Sequence, residues 1–236
     1  LLLYALLRLG FYQFNKALFP QVELAELAYM LLGGLKFDVA ALLYINSLYI
    51  LLVLLPLPLK YSPGYQKNAK WVFLISNSIG AGLNIMDYAY YPFTLKRTTG
   101  TIFSQFSNEQ NFVGLLFNFL VDYWYLLFLF VGLIYVMAKL YDRIQVVRPE
   151  AIRLSFYGIQ LLALLFVAFL FVGGVRGGWA HSTRPITLSN AGDYVKAPEE
   201  MNIVLNTPFS MLKTLKAIAL KEVDFYTSEA LNKIYP

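Results

Sequence analysis

Residues 154–175 read LSFYGIQLLALLFVAFLFVGGV, a run of 22 residues without Lys, Arg, Asp or Glu. As a helix it rises about 33 Å, at about 1.5 Å per residue, and so reaches across a hydrocarbon core of about 30 Å. Working outward from it, four further apolar segments stand out: 38–59, 71–92, 112–138 and, at the start, 1–12, which looks truncated. The 236-residue chain is 58% hydrophobic and 14% charged, with mean hydropathy +0.57. A soluble domain carries about 25% charged residues, so composition argues against a water-soluble globule. The expected fold is an all-α polytopic membrane protein with five transmembrane helices over residues 1–175.

Orientation follows from the basic residues, which are retained on the cytoplasmic side of short loops. The second and fourth loops hold seven of them (Lys60, Lys67, Lys70, Lys139, Arg143, Arg148, Arg153), and the first and third hold four (Lys16, Lys36, Lys96, Arg97). This places the N-terminus inside and residues 176–236 outside, as an extracytoplasmic linker. Residues 22–35 carry Glu23 and Glu26 ahead of a short apolar run, which predicts an interfacial helix ending in a turn at Gly33–Gly34. In the linker, Thr207 is expected to cap an amphipathic helix with Pro208 in its first turn. Met211, Leu212, Leu215, Ile218 and Ala219 would form its apolar stripe, opposite Lys213, Lys216 and Lys221. TSEALNKIYP at 227–236 reads as one more short helix, capped by Thr227 or Ser228.

The chemistry-bearing residues are few. There is no cysteine and one histidine, His181, so thiolate sites are excluded and an all-protein zinc site is disfavoured. His181 reads as a surface loop residue. The chain lacks G-x-S-x-G, P-loop, H-E-x-x-H and G-x-G-x-x-G patterns, so no catalytic residue is assigned within it. The net charge of +5 lies in loops between spans and points to topology, with no nucleic-acid partner.

Charges near spans are costly, so their depth is informative. Asp87 lies 17 residues from Lys70 and Asp122 lies 17 from Lys139, each about 26 Å along a helix. Asp38 lies 22 residues from Lys60 and Arg176 lies 23 from Arg153, about 33 to 35 Å. All four fall near the outer boundary, where Lys36, Lys96, Arg97 and Arg184 join them. Two readings of this cluster stay open. In one, the basic groups hold a lipid headgroup phosphate while Asp38, Asp87 and Asp122 orient them. In the other, Asp87, Asp122 and Arg176 pair to close the bundle end, and Lys96 and Arg97 belong to a solvated loop.

Asp87–Tyr90 and Asp122–Tyr125 repeat a D-Y-x-Y pattern, read as an aromatic belt or as walls of a lipid or glycan pocket. Asn46, Ser76, Asn77, Ser78, Asn84 and Asn118 suit interhelical hydrogen bonds, with Gly80 and Gly82 allowing close approach.

GLKFD at 34–38, PFTLKRTT at 92–99, VDYWY at 121–125, RGGW at 176–179, RPI at 184–186 and VLNTPFSMLKT at 204–214 together resemble the membrane part of bacterial lipoteichoic acid synthase-like sulfatase-family proteins. The resemblance spans most of the chain and keeps the order of its motifs. It implies five transmembrane helices in the bacterial cytoplasmic membrane, then a linker, then a soluble alkaline-phosphatase-like α/β domain. That domain would carry a threonine nucleophile and a divalent metal, usually manganese, and in the synthases transfers glycerol phosphate from phosphatidylglycerol to a growing polymer. Here LNKIYP is followed by nothing, so the catalytic domain and its metal are expected to be missing from this chain.

The expectation is therefore a membrane domain of a lipoteichoic acid synthase-like phosphoglycerol transferase or sulfatase, holding a lipid-linked substrate, such as an anionic phospholipid, at the outer leaflet. The alternative is a non-catalytic accessory subunit packed against a larger bacterial membrane complex, for example a respiratory one. A transporter is disfavoured by five spans, no inverted repeat and no charge at midplane depth.

Overall fold

The computed structural model describes residues 1–103, 112–144, 146 and 154–215. Among these, regular structure is helical, with no strand. The α-helices are α1 (Leu2–Phe14), α2 (Leu24–Ile45), α3 (Ser47–Leu54), α4 (Pro63–Thr94), α5 (Phe112–Asp122), α6 (Trp124–Asp142), α7 (Leu154–Arg176), α8 (Met201–Val204) and α9 (Thr207–Thr214). Three of them, α2, α6 and α7, are long and apolar enough to cross a membrane, which supports a membrane protein. Arg148, Arg153, Lys216, Ile218, Ala219, Lys221 and the expected helix at 227–236 lie outside the described residues.

Helix α2 departs from expectation, because no turn forms at Gly33–Gly34. The helix starts at a capping box between Glu23 and Glu26 and runs unbroken through both glycines. Each glycine costs a helix up to about 1 kcal/mol relative to alanine, and close packing offsets that here. A Cβ on Gly34 would lie 1.6 Å from Arg8 Nη1, and one on Gly33 would lie 2.4 Å from the Tyr194 ring.

The expected 38–59 span is also divided. Asn46 separates α2 from α3, and α3 stops at Leu54 because Pro56 forces Leu55 into extended backbone. The expected 112–138 span is two helices that meet at Tyr123. The 71–92 segment belongs to the longer α4, whose start is fixed by Ser62 accepting from the Tyr65 N–H at 3.4 Å and by Pro63.

Contacts define two ends of the bundle. At one, Lys60 donates to Gln160 Oε1 at 2.7 Å and to the Val53 carbonyl at 3.3 Å, and Lys70 pairs with Asp142 at 2.5 Å. The end of α3, the starts of α4 and α7 and the end of α6 therefore meet there. Burial pushes the Lys60 ammonium below its ordinary pKa. At the other end, Val39 and Leu43 of α2 pack on Gly174 near the end of α7, and Lys36 lies against Gly177. Helix α1 runs alongside α4, with Tyr4 against Gly80 and Gly10 against Tyr88. Gly82 of α4 receives the Phe130 ring of α6.

The glue residues divide in role. Asn46 and Asn77 exchange hydrogen bonds of 3.1 and 2.7 Å between the α2–α3 junction and α4. Pro92, inside α4, has no N–H for the Tyr88 carbonyl, and Asn15 Nδ2 donates to that oxygen at 3.2 Å instead. Tyr88 itself is buried and donates to the Leu7 carbonyl at 2.7 Å, so this half of the D-Y-x-Y repeat packs inside the bundle.

The segment 186–215 returns onto the second end. Ile186, Ala191, Ile203, Val204, Leu205 and Phe209 enter one core with Phe11, Leu27, Met30 and Phe37. The Phe37 and Phe209 rings meet edge to face at 5.1 Å.

Candidate functional site

The returning segment seats on the bundle through charge and hydrogen bonds as well as apolar contact. Two buried carboxylates, Asp38 on α2 and Asp87 on α4, are each wholly inaccessible to solvent. Arg8 of α1 donates to Asp38 Oδ1 at 2.5 Å and to the Gly34 carbonyl at 2.9 Å. The space left by the missing Gly34 Cβ is what admits this guanidinium. Asn206 Nδ2 donates to the same Asp38 oxygen at 2.9 Å, while Asn206 Oδ1 caps α9 by accepting from the Phe209 N–H at 2.8 Å.

The next residue engages the other carboxylate. Thr207 Oγ1 donates to Asp87 Oδ2 at 2.6 Å, and the Thr207 N–H donates to Asn84 Oδ1 at 3.2 Å. The helix cap is thus Asn206, one residue before the expected Thr207, because the Thr207 hydroxyl is committed to Asp87. Thr98 donates to Asp87 from its hydroxyl, and from its N–H to Oδ2 at 3.1 Å. To reach it, the chain leaves α4 through Leu95 in the left-handed region, φ 52°, and folds back.

Arg97 completes this half. Its Nη1 lies 3.6 Å from Asp87 Oδ2, its Nε donates to the Asn202 carbonyl at 2.8 Å, and its plane sits 3.4 Å from the centre of the Phe11 ring. Burial lowers its pKa to about 10, against the opposing pull of Asp87, so it is charged at neutral pH. With two arginines and two aspartates, the network is electrically balanced.

Of the eight residues expected to cluster, three join this network: Asp38, Asp87 and Arg97. The other five stand apart. Lys36 is half-buried beside Gly177 and Ile186. Arg176 donates to the Thr183 carbonyl at 2.7 Å, closing its own turn. Lys96, Asp122 and Arg184 are exposed. The expected closure by Asp87, Asp122 and Arg176 does not form, because Thr98, Thr207 and Arg97 occupy Asp87. Nor is Arg97 in a solvated loop, since it is buried.

Sequence reasoning missed Arg8, Thr98, Asn206 and Thr207 as partners, whereas Asn84, expected to hydrogen-bond between helices, accepts from the Thr207 N–H. Arg8 had a signal, being a charge inside an apolar run. No group of three or more potential metal ligands occurs among the described residues.

A concavity lies between the start of α2 and the turn at Leu188–Tyr194. It is an open groove of about 340 Å³ lined by Tyr29, Met30, Tyr194 and Val195, with Glu26 and Lys196 paired beside it. No protein-family model, curated protein or solved structure matches the chain. The resemblance therefore rests on the quoted motifs alone.

Proposed function

We propose that this chain is the membrane domain of a lipoteichoic acid synthase-like phosphoglycerol transferase or sulfatase, and that it holds the segment 186–215 as a fixed platform at the outer leaflet. The five spans of this reading are α1, α2 with α3, α4, α5 with α6, and α7. The N-terminus lies in the cytoplasm. Lys60, Lys70 and Lys139 fall at the bundle end opposite the returning segment, in keeping with retention of basic residues inside. The manganese-dependent chemistry of the family would belong to a soluble domain carried above this platform.

One observation carries the reading. Stretches far apart in sequence that bear the resemblance come together in one place: GLKFD supplies Asp38, PFTLKRTT supplies Arg97 and Thr98, and VLNTPFSMLKT supplies Asn206 and Thr207. RGGW and RPI adjoin them, through Gly177 and Ile186 against Lys36. Only VDYWY stands off. In this reading the buried charges hold the platform, while substrate phosphate is met by cations outside that network.

The test is the gene product in its native membrane. The expected outcome is a polypeptide larger than 26.9 kDa by a soluble domain, with manganese-dependent release of glycerol phosphate or of sulfate from a lipid or ester substrate. A product of that mass alone, without either activity, would remove the proposal.

A further inference from the structure

Past Arg176 the chain turns back on α7. The Gly177 and Gly178 N–H groups both donate to the Gly173 carbonyl, at 2.8 and 2.9 Å, and Gly177 takes φ 80°, a conformation that suits glycine. The turn lays Trp179 along the side of the helix. Its indole stacks on the Phe169 ring at 5.7 Å between centroids, 24° from parallel, and its Nε1–H donates to the Phe169 carbonyl at 3.1 Å. A Cβ on Gly173 would lie 1.9 Å from the indole, so the missing carbon is what admits it.

The indole is seated yet uncovered, being 55% exposed. What covers it follows from the helix beneath it. Helix α7 is long and apolar enough to cross a membrane, and its Leu162, Leu165, Phe166 and Phe169 are exposed like Trp179. On a spanning helix such a surface meets hydrocarbon. Phe169 lies seven residues before Arg176, so the indole reaches about 10 Å back from the charge that ends the helix, toward the bilayer centre. A tryptophan at the lipid–water boundary can give its N–H to water, whereas in hydrocarbon that donor needs a protein acceptor. The Phe169 carbonyl is that acceptor.

We infer that Trp179 inserts among the acyl chains of the bilayer, as a peg that holds the start of the returning segment down on the membrane. The side chain enters lipid with its one donor satisfied. Arg176, donating to the Thr183 carbonyl at 2.7 Å, closes the turn that carries it. Exposed His181, Ser182 and Arg184 follow, and Ile186 enters the core seven positions after the peg. The inference rests on α7 crossing the bilayer, and it holds for either orientation of the chain.

The test is tryptophan fluorescence of the full chain in phosphatidylcholine vesicles. The chain has three tryptophans, and Trp71 and Trp124 are exposed, so Trp71→Phe with Trp124→Phe leaves Trp179 as the only reporter with little loss of packing. Lipids brominated in their acyl chains should quench most of its emission, and iodide present on both sides of the membrane should quench little. The reverse pattern overturns the inference.

A second reporter separates the peg from the span. In the same background, Trp179→Phe with Phe166→Trp moves the fluorophore onto α7 itself. Bromine quenching there, with iodide quenching at Trp179, overturns the peg and leaves α7 as a span. Iodide quenching at both positions overturns the span and the peg together.

Discussion

The Thr207 hydroxyl donates to Asp87 Oδ2 at 2.6 Å across 120 positions of sequence, joining the returning segment to α4 at a point closed to water. Thr207→Val keeps the shape of the side chain and removes the donor. Leaving a buried acceptor short of a partner costs about 1–3 kcal/mol. Asp87→Ala should cost more, about 3–5 kcal/mol, because Arg97 then stays buried without its counter-charge. Thermal unfolding in detergent should rank the parent above Thr207→Val and Thr207→Val above Asp87→Ala. The same order should appear in resistance of residues 186–215 to added protease.

Arg8 and Asp38 form the other buried ion pair, and their energetics differ between breaking and replacing it. Asp38→Ala alone strands a guanidinium and should cost about 3–5 kcal/mol. Arg8→Met combined with Asp38→Leu removes both charges and should recover most of that loss, less the hydrogen bond from Asn206 to Asp38. A double-mutant cycle in Tm reads the coupling, and strict additivity would speak against a shared pair.

Gly34→Ala should be among the most damaging single-carbon changes in the molecule. Its Cβ would meet Arg8 Nη1 at 1.6 Å, and the guanidinium has no slack beside Asp38. A loss of about 1–3 kcal/mol is expected from the overpacking. Gly132→Ala on α6 is the control: a Cβ there meets nothing within 4 Å, so helix propensity should stabilise by up to about 1 kcal/mol.

Leu95 ends α4 with φ 52° and ψ 23°, its N–H bonded to the Tyr91 carbonyl, and its side chain is exposed. A left-handed residue other than glycine costs about 1–2 kcal/mol, and little apolar burial is lost on truncation here. Leu95→Gly should therefore raise Tm, and an unchanged or lower Tm would show that the strain is offset elsewhere.

Parts of this architecture were legible in the sequence. Apolar length gave the helical class, and Asp38 and Asp87 announced themselves as charges in apolar surroundings. Asn206 and Thr207 did not, since small uncharged polar residues leave little mark on hydropathy and their partners lie more than a hundred positions away. Gly33–Gly34 misled for a related reason. A glycine pair signals a turn locally, and only the partner helix, with Arg8 aimed at the gap, turns the same pair into a packing surface.

Asn206 grips α2 and its immediate neighbour Thr207 grips α4, so a single peptide bond spans the two attachment points. A ruler that short tolerates almost no sliding of one helix past the other. The segment can dock only on a bundle whose two helices already stand in register, so docking acts as an assembly checkpoint. A chain whose helices stand out of register would leave residues 186–215 undocked, with their apolar face exposed.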